Sequence, residues 1–585
     1  LPGAAAAAPG PRTAPAGAGK LEVYPASVRL TGPDALQQLL VTETGTDGLS
    51  QDRTDGARYT ALPPAVVRVS PAGLVTPIRD GKARLRVQVG RQVRELAVVV
   101  EGAGAERRYH FLNDITPILS RAGCNQGACH GKAEGQGGFK LSVFGYDPDL
   151  DYAQILTASK GRRVSRTDPA RSLFLLKPGG GVPHAGGVRF SLTSREYRTV
   201  LGWLAAGAPF GKPDEPVLQR VSVEPLVRSA AFESEHRLLV TAHYSDGATR
   251  DVTRLARFAT NSPQLAGVGD DGRIRTQNLP GDAAIMAHYG GMVAVSRVVT
   301  PRPDRSPLPA PPTPRNFLDT LVWNRLRTLR IAPSGAASDA EFLRRAYLDT
   351  IGSLPTPEEA RAFLDECRKE GTPAWKARTR LVDQLLERPE YADFWAIRWA
   401  DLLRVNKDRL GAKGAHAFYS WIRTALAENR PYDQFVRELI TASGSSNENG
   451  AVQFYRVLNK PEELAGSVSQ VFLGVRIECA QCHHHPFEKW SQDDYYGMVG
   501  YFTRVNAKGL GPGAALVSAG GNGNAVNPRT KAVVAPHPLG GPVEPEAGDA
   551  DRRRQLATWM TRPDNPFLAR MLVNRLWSHF LGRGL

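Results

Sequence analysis

The chain has 585 residues, with 74 Lys and Arg against 58 Asp and Glu, a formal net charge of +16 and a sequence pI near 9.7. This length exceeds what one hydrophobic core usually organises, so several domains are expected. The basic residues are interspersed with carboxylates, which argues against a nucleic-acid partner and is compatible with an acidic redox partner protein or an anionic polysaccharide. No apolar run reaches the ~18 residues that a transmembrane helix needs.

The first half of the chain alternates between strand-like and mixed patterns. Residues 1–19 are rich in Ala, Pro and Gly and poor in large apolar side chains, which predicts a disordered tether. Residues 20–101 alternate apolar and polar positions between turns, which predicts an Ig-like β-sandwich. Residues 102–213 have a mixed pattern. Strand-like alternation returns over residues 214–301, with a hairpin turn at Asp246 and Gly247.

The second half is predicted to be helical. A proline-rich linker at residues 302–315 precedes a helical domain over residues 316–505, where Ser338 and Glu341 have the spacing of a capping box. Residues 506–550 are predicted to be a flexible loop. Residues 551–585 begin a further helical domain whose last apolar helix reaches the final residue, so we expect the natural chain to continue beyond Leu585.

The segment IECAQCHHHPF, residues 477–487, concentrates two cysteines and three histidines. A C-x-x-C-H pattern is typical of c-type haem attachment, with Cys479 and Cys482 as thioether partners and His483 as an iron ligand. Three alternatives are open. They are a zinc site that adds His485, a thioredoxin-like dithiol, and a disulfide or buried thiols beside solvated histidines.

A second cluster, AGCNQGACHGK, places Cys124, Cys129 and His130 in a C-x-x-x-x-C-H pattern. Its two extra residues require the loop to bulge if both sulfurs are to reach one porphyrin. Gly127 and Gly131 would ease such a bulge, because glycine tolerates conformations closed to other residues. A disulfide between Cys124 and Cys129 is the alternative here.

Longer motifs carry a resemblance to a known family. Residues 316–504, with EFLRRAYLDTIGSLPTPEE and CAQCHHHPFEKW, resemble the cytochrome-like domain of large exported proteins abundant in Planctomycetes, and DNPFLARMLVNRLWSHFLGRGL resembles the start of its companion domain. The segment around Cys124 resembles a cytochrome c-like module, and residues 217–301 resemble a bacterial Ig-like domain of the second group. The resemblance implies a multidomain fold in which β-sandwich (Ig-like) domains alternate with mainly α cytochrome c-like and helical domains.

The ligand opposite each histidine decides between electron transfer and catalysis, because two strong protein ligands leave no open position on the iron. In the first module, KPGGGVPHAGGVRF offers His184, where simple cytochromes often carry a methionine-bearing loop. In the second, His485, Met498 and His579 are candidates. We predict His579, which lies in a pattern that the resemblance also supplies.

The sequence therefore predicts an exported c-type cytochrome, periplasmic or associated with the cell surface, that transfers electrons through haem c. One haem is expected at Cys479 and Cys482, and a second at Cys124 and Cys129. Two other functions are open. One is a haem-dependent oxidoreductase or peroxidase with an open iron, and the other is a non-haem structural or carbohydrate-binding surface protein with paired cysteines.

Overall fold

The computed structural model describes residues 19–132, 134–212, 214–304, 306–369, 373–483, 485, 488, 490–511, 514–543 and 551–585. The chain forms two units, the first running to Pro333 and the second beginning at Ser334. The predicted tether lies outside the described residues except for Gly19. The first unit contains two β-sandwiches with a helical module between them in the sequence, and the second unit is mainly helical.

The first β-sandwich follows from the alternation of apolar and polar side chains. Along residues 81–89 every second residue from Ala83 to Val87 is buried, and the basic residues between them are exposed. Its strands are β1 (Lys20–Tyr24), β2 (Ser27–Thr31), β3 (Gln37–Gln38), β4 (Leu40–Thr44), β5 (Ser50–Asp52), β6 (Arg58–Leu62), β7 (Val67–Val69), β8 (Leu74–Pro77), β9 (Gly81–Val89) and β10 (Gln92–Glu101). They form sheets in the orders β1-β4-β5, β2-β10-β9-β6 and β3-β8-β7.

The helical module follows the first β-sandwich and has an aromatic core. Its helices are α1 (Thr116–Arg121), α2 (Pro148–Leu156), α3 (Leu173–Leu176) and α4 (Arg195–Ala205), and a π-helical turn at Phe111–Ile115 precedes α1. Phe111 and Trp203 are fully buried at its centre. The two ends of the module meet, because the N–H of Phe111 donates to the carbonyl of Phe210 at 3.0 Å.

The second β-sandwich repeats the first strand for strand. Its strands are β11 (Leu218–Glu224), β12 (Val227–Ser229), β13 (Glu235–Arg237), β14 (Leu239–Tyr244), β15 (Thr249–Asp251), β16 (Arg257–Thr260), β17 (Ala266–Val268), β18 (Arg273–Thr276), β19 (Gly281–Tyr289) and β20 (Met292–Thr300). The sheet orders β11-β14-β15, β12-β20-β19-β16 and β13-β18-β17 equal those of the first β-sandwich with ten added to each number. In both, the second strand pairs in parallel with the last, β2 with β10 and β12 with β20.

The two β-sandwiches contact each other through equivalent positions. Asp52, at the end of β5, accepts a hydrogen bond at 2.7 Å from the backbone N–H of Arg237 on β13. Asp251, at the end of β15, accepts one at 2.6 Å from the backbone N–H of Gln38 on β3. Since β5 matches β15 and β3 matches β13, the contact is reciprocal, as across a two-fold axis. Arg237 also donates to both carboxylate oxygens of Asp55 at 2.7 Å.

The helical module contacts both β-sandwiches. Arg195, at the start of α4, donates to the carbonyl of Asp34 in the first β-sandwich at 2.5 Å. On the other side, the guanidinium of Arg121 donates to the carbonyl of Asp270 in the second at 2.8 Å. Because the β-sandwiches also touch each other, the three parts of the first unit form a closed ring of contacts.

The proline-rich segment at residues 302–315 was predicted to mark a boundary, but the division between the two units lies further along the chain. The N–H of Arg302 donates to the carbonyl of Leu329 at 2.9 Å, at the end of α5 (Phe317–Leu329). Arg330 donates to the carbonyl of Asp304 at 2.8 Å. Proline prevents regular structure but allows packing, and the division falls instead at Pro333 and Ser334.

The second unit is built from capped amphipathic helices. They are α6 (Asp339–Ile351), α7 (Pro357–Arg368), α8 (Ala374–Leu386), α9 (Pro389–Leu402), α10 (Lys407–Ala427), α11 (Tyr432–Ile440), α12 (Phe454–Val457), α13 (Pro461–Val468), α14 (Gln492–Gly500), α15 (Arg552–Met560) and α16 (Leu568–Leu581). The predicted capping box of Ser338 and Glu341 is confirmed at the start of α6. Among the described residues, no helix is long and apolar enough to cross a membrane.

The segment at residues 506–550, predicted to be a flexible loop, contains strands over much of its described length. β23 (Ala514–Ala519) pairs with β22 (Val505–Gly511) on one side and with the short β21 (Gly444–Ser445) on the other, and β24 (Ala525–Val526) pairs with β25 (Val533–Val534). Ala515 and Val517 are buried, so small apolar residues between glycines form one face of a strand. Residues 544–550 lie outside the described residues.

Candidate functional site

A cavity of about 680 Å³ in the helical module brings together four of the residues predicted from the sequence. Its lining includes Cys124, Cys129, His130 and His184. The apolar part of its wall is formed by Leu119, Phe174, Phe190 and Val200. Cofactor sites in proteins are typically cavities of ~300–1,000 Å³ with apolar walls and a few placed polar groups.

Hydrogen bonds fix the position of His130 at the end of a tight loop. Its N–H donates to the carbonyl of Cys124 at 3.0 Å, and its carbonyl accepts from the N–H of Leu141 at 2.8 Å. Its ring Nδ1 lies 3.0 Å from the carbonyl oxygen of Phe139, which favours a proton on Nδ1 and leaves the lone pair on Nε2. Burial is the main cause that lowers the pKa of His130, so the neutral imidazole that binds metals is favoured.

His184 lies opposite His130 in a glycine-rich loop and is held in the same way. Its Nδ1 is 2.8 Å from the carbonyl oxygen of Gly187. The ring centres of the two histidines are 6.2 Å apart, and the rings are within 14° of parallel. A metal–nitrogen bond of about 2 Å and a ring radius of about 1.1 Å place two imidazoles on one metal with their centres about 6 Å apart. The ring-centre separation of the pair is close to this value.

The two cysteines of this cavity are free thiols, so the alternative of a disulfide is not formed. Burial raises the pKa of Cys124 to about 11, and the nearby Cys129 adds to the shift. A guanidinium N–H of Arg189 lies 3.5 Å from the sulfur of Cys129. The thiol of Cys124 is thus protonated at neutral pH, and both sulfurs border the space beside the histidine pair.

Only one of the two glycines in this loop is required by the structure. A Cβ added at Gly131 would lie 2.4 Å from the carbonyl oxygen of Asn125, whereas one added at Gly127 would meet no atom within 4 Å. The expectation that both glycines ease the bulge is therefore right for Gly131, by close backbone approach, and wrong for Gly127.

The charged residues that line this cavity are all cations, and sequence reasoning missed them. They are Arg162, Arg163, Lys177 and Arg189. A positive edge beside an apolar wall suits a large apolar cofactor with carboxylate groups, such as the two propionates of haem. With the histidine pair and two thiols, the lining fits haem c. The signal of these cations in the sequence is a run of seven basic residues with one acidic residue between residues 159 and 190, an exception to the interspersed charge of the chain.

The second predicted cluster lies on a surface turn. Cys479 is in a 3₁₀ turn at Glu478–Gln481, Cys482 follows it, and both thiols are exposed. The carbonyl of Gln481 accepts hydrogen bonds from Gln492 at 3.1 Å and from Tyr496 at 3.3 Å, which ties the turn to α14. His483 is described, whereas residues 484, 486, 487 and 489 lie outside the described residues. The residue types suit covalent haem attachment.

The structure does not place His579 beside this turn. Its Nε2 lies 3.0 Å from the carbonyl oxygen of Asp349, and its ring centre is 4.9 Å from that of Trp395. It lines a separate cavity of about 890 Å³ in the second unit, and the lining of that cavity does not include Cys479, Cys482 or His483. The prediction of His579 as an iron ligand is thus corrected. A histidine on a helix late in the chain can pack against any of several earlier helices. Its spacing in the sequence did not identify the helix that it contacts.

The fold and these clusters define a class of modular protein, in which Ig-like β-sandwiches accompany helical modules that carry cysteine–histidine sites. Family comparisons agree at the level of domains. Residues 317–507 match PSCyt2, a protein of unknown function (DUF1549), residues 552–585 match PSD1, a protein of unknown function (DUF1553), and residues 55–102 match a bacterial Ig-like domain. The Ig-like match falls in the first β-sandwich, and the identical strand order extends that fold to the second.

Comparison with solved structures finds extracellular proteins at low similarity. Domains 5–6 of the S-layer protein SbsC match at 10% identity and a TM-score of 0.21, over 48% of this chain and 97% of that one. The S-layer protein rSbsC(31-844) matches at 12% identity and a TM-score of 0.13, over 48% of this chain and 27% of that one. Human Protocadherin-24 EC1-2 matches at 10% identity and a TM-score of 0.11, over 49% of this chain and 98% of that one. The match spans about a quarter of the rSbsC chain, and scores this low support no inference. No curated protein matches the sequence.

Proposed function

We propose that this chain is an exported c-type cytochrome that transfers electrons through covalently bound haem. The observation that carries the proposal is the pair of near-parallel imidazoles of His130 and His184, 6.2 Å apart, each with Nδ1 bonded to a backbone carbonyl. Metal-binding histidines characteristically donate their second ring N–H in this way, which fixes the ring orientation and tautomer. In this proposal the thiols of Cys124 and Cys129 attach the cofactor.

The histidine pair favours electron transfer over catalysis at this site. Haem supplies a one-electron iron couple when bound, and two histidine ligands leave no position for peroxide or another substrate. His184 lines the cavity together with His130, and the carbonyl of Gly187 holds its ring. The apolar side chains of the lining would contact the porphyrin, and the cations of the lining would balance its propionates.

We propose a second haem at Cys479, Cys482 and His483, because the C-x-x-C-H spacing there is the standard one. Export to the periplasm or the cell surface is part of the same proposal and is supported by the sequence resemblance. The partner is then another redox protein.

The test uses protein purified from a host that matures c-type cytochromes. We expect haem that stays on the chain in a denaturing gel, and a low-spin absorption spectrum. His184→Ala should open the first site, move the ferric spectrum toward high spin and speed carbon monoxide binding to the reduced protein at least tenfold. His416→Ala changes an exposed histidine on α10 and should leave both measurements unchanged.

Other outcomes separate the alternatives. If the parent protein binds carbon monoxide as fast as the His184→Ala variant, the iron is open and a haem-dependent oxidoreductase or peroxidase is favoured. If no haem is attached under these conditions, a non-haem structural or carbohydrate-binding surface protein is favoured.

A further inference from the structure

A cluster of positive charge lies next to the His130–His184 cavity. Between residues 159 and 190 the sequence has seven Lys and Arg but only one acidic residue, Asp168, whereas the whole chain has 74 against 58. Four of the seven line the cavity, and no Asp or Glu does. The other three, Lys160, Arg166 and Arg171, are exposed and lie within three residues of a lining residue. We call these seven residues the cationic face.

The contacts of the cationic face do not neutralise it. The buried guanidinium of Arg163 donates to the carbonyls of Gln154, Ala158 and Gly138 at 2.6–3.0 Å and stacks on Phe139. Arg189 donates to a sulfur. These acceptors are uncharged, and among the described ion pairs none joins a carboxylate to any member of the face. Two haem propionates would offset two charges at most, so the face remains positive.

We infer that the cationic face is the docking surface for an electron-transfer protein whose redox centre is surrounded by acidic side chains. This inference rests on the proposed function. Charges of one sign around a site raise the rate of encounter with a partner of opposite charge by about 10–10³. Four of the cations line the cavity itself, which suits a compact partner that must approach the cofactor edge. An extended anionic polysaccharide would need a longer track.

The test measures oxidation of the reduced protein by small oxidants of opposite charge. Ferricyanide, with charge 3−, should react fast at low salt and at least tenfold more slowly when salt screens the face. Tris(phenanthroline)cobalt(III), with charge 3+, should show the opposite dependence on salt. An acidic ferredoxin, used as reductant, should follow ferricyanide in its dependence on salt.

A charge-reversal variant locates the effect. Lys160→Glu, Arg166→Glu and Arg171→Glu together alter exposed members of the face that do not line the cavity, so haem binding should be unchanged. Ferricyanide oxidation at low salt should then slow about tenfold. The matched control combines three changes of the same charge at exposed positions of the first β-sandwich, Arg58→Glu, Arg68→Glu and Arg84→Glu, and should keep the parent rates.

The outcomes separate this inference from the proposed function. A protein without haem overturns both. A protein with haem whose rates are equal in the two triple variants overturns the docking surface alone. Binding of polygalacturonate or dextran sulfate that is abolished by the first variant, with ferredoxin rates unchanged, would mean that the face binds an anionic polymer and would also overturn the inference.

Discussion

The loop that carries Cys129 and His130 offers a matched test of two glycines four residues apart. Gly131→Ala would place a Cβ 2.4 Å from the carbonyl oxygen of Asn125 and 2.8 Å from two backbone carbons. An ordinary contact for a Cβ begins at about 3.4 Å, so backbone must move by about 1 Å. Gly127→Ala adds the same group where no atom lies within 4 Å.

The expected changes in the free energy of unfolding differ between the two variants in size and in sign. Overpacking against backbone typically costs about 1–3 kcal/mol, and here it also strains the N–H of His130 bonded to Cys124 and the N–H of Gly131 bonded to Gln126. Gly127→Ala should instead be neutral or stabilising by up to about 1 kcal/mol, because alanine reduces the entropy of the unfolded chain.

Thermal unfolding of haem-free protein measures these changes, and each kcal/mol should move Tm by about 1–2 °C in a unit of this size. Haem content at the first site, measured by mass spectrometry after digestion, should fall for Gly131→Ala only. Equal Tm and equal haem content in the two variants would refute the argument, because it depends on the different space around the two Cβ positions.

Three further predictions concern the two cysteine clusters, acid stability and the division between the units. Cys129→Ser and Cys482→Ser should each remove covalent haem from their own half of the chain, and mass spectrometry that finds both halves still modified would contradict this. Burial and Arg228 lower the pKa of His236 to about 4, so the stability it confers is present above pH 6.5 and lost toward pH 4, by up to about 1.4 kcal/mol per pH unit. Calorimetry of His236→Gln should show a weaker dependence on pH. Limited proteolysis with elastase should cut first in the exposed segment 332–338, and first cuts within 302–315 would restore the boundary predicted from sequence.

The sequence predicted local features well, because their causes lie within a few residues. Alternation identified the strands of both β-sandwiches, and Ser338 with Glu341 identified the start of α6. The contact between the β-sandwiches could not be predicted in this way. Asp52 and Arg237 are 185 residues apart, and the sequence gives no sign that two similar domains would pair through equivalent strands.

For the candidate site, too, the sequence predicted the local features but not the contacts between distant segments. Cysteine–histidine spacing identified both clusters, and the ring centre of His184, the candidate ligand predicted for the first module, lies 6.2 Å from that of His130. The site with the unusual spacing lines a cavity, whereas the standard C-x-x-C-H lies on a surface turn. The spacing of cysteines and histidines indicates which residues can bind a cofactor together. The lining of the cavity, however, comes from segments that are distant in sequence, such as α1 and α4. The failure at His579 has the same cause.

The meeting of Phe111 with Phe210 affects how the first unit could have arisen. The chain leaves the first β-sandwich and enters the second at almost the same point. For the pairing of the β-sandwiches, the helical module between them therefore acts like a short connection, although it is long in sequence. Insertions are tolerated best where their two ends lie close together. Duplication of one Ig-like domain followed by insertion between the copies would therefore preserve the pairing of the copies. Inserts carrying different metal ligands could then be exchanged while the strands on either side stayed the same.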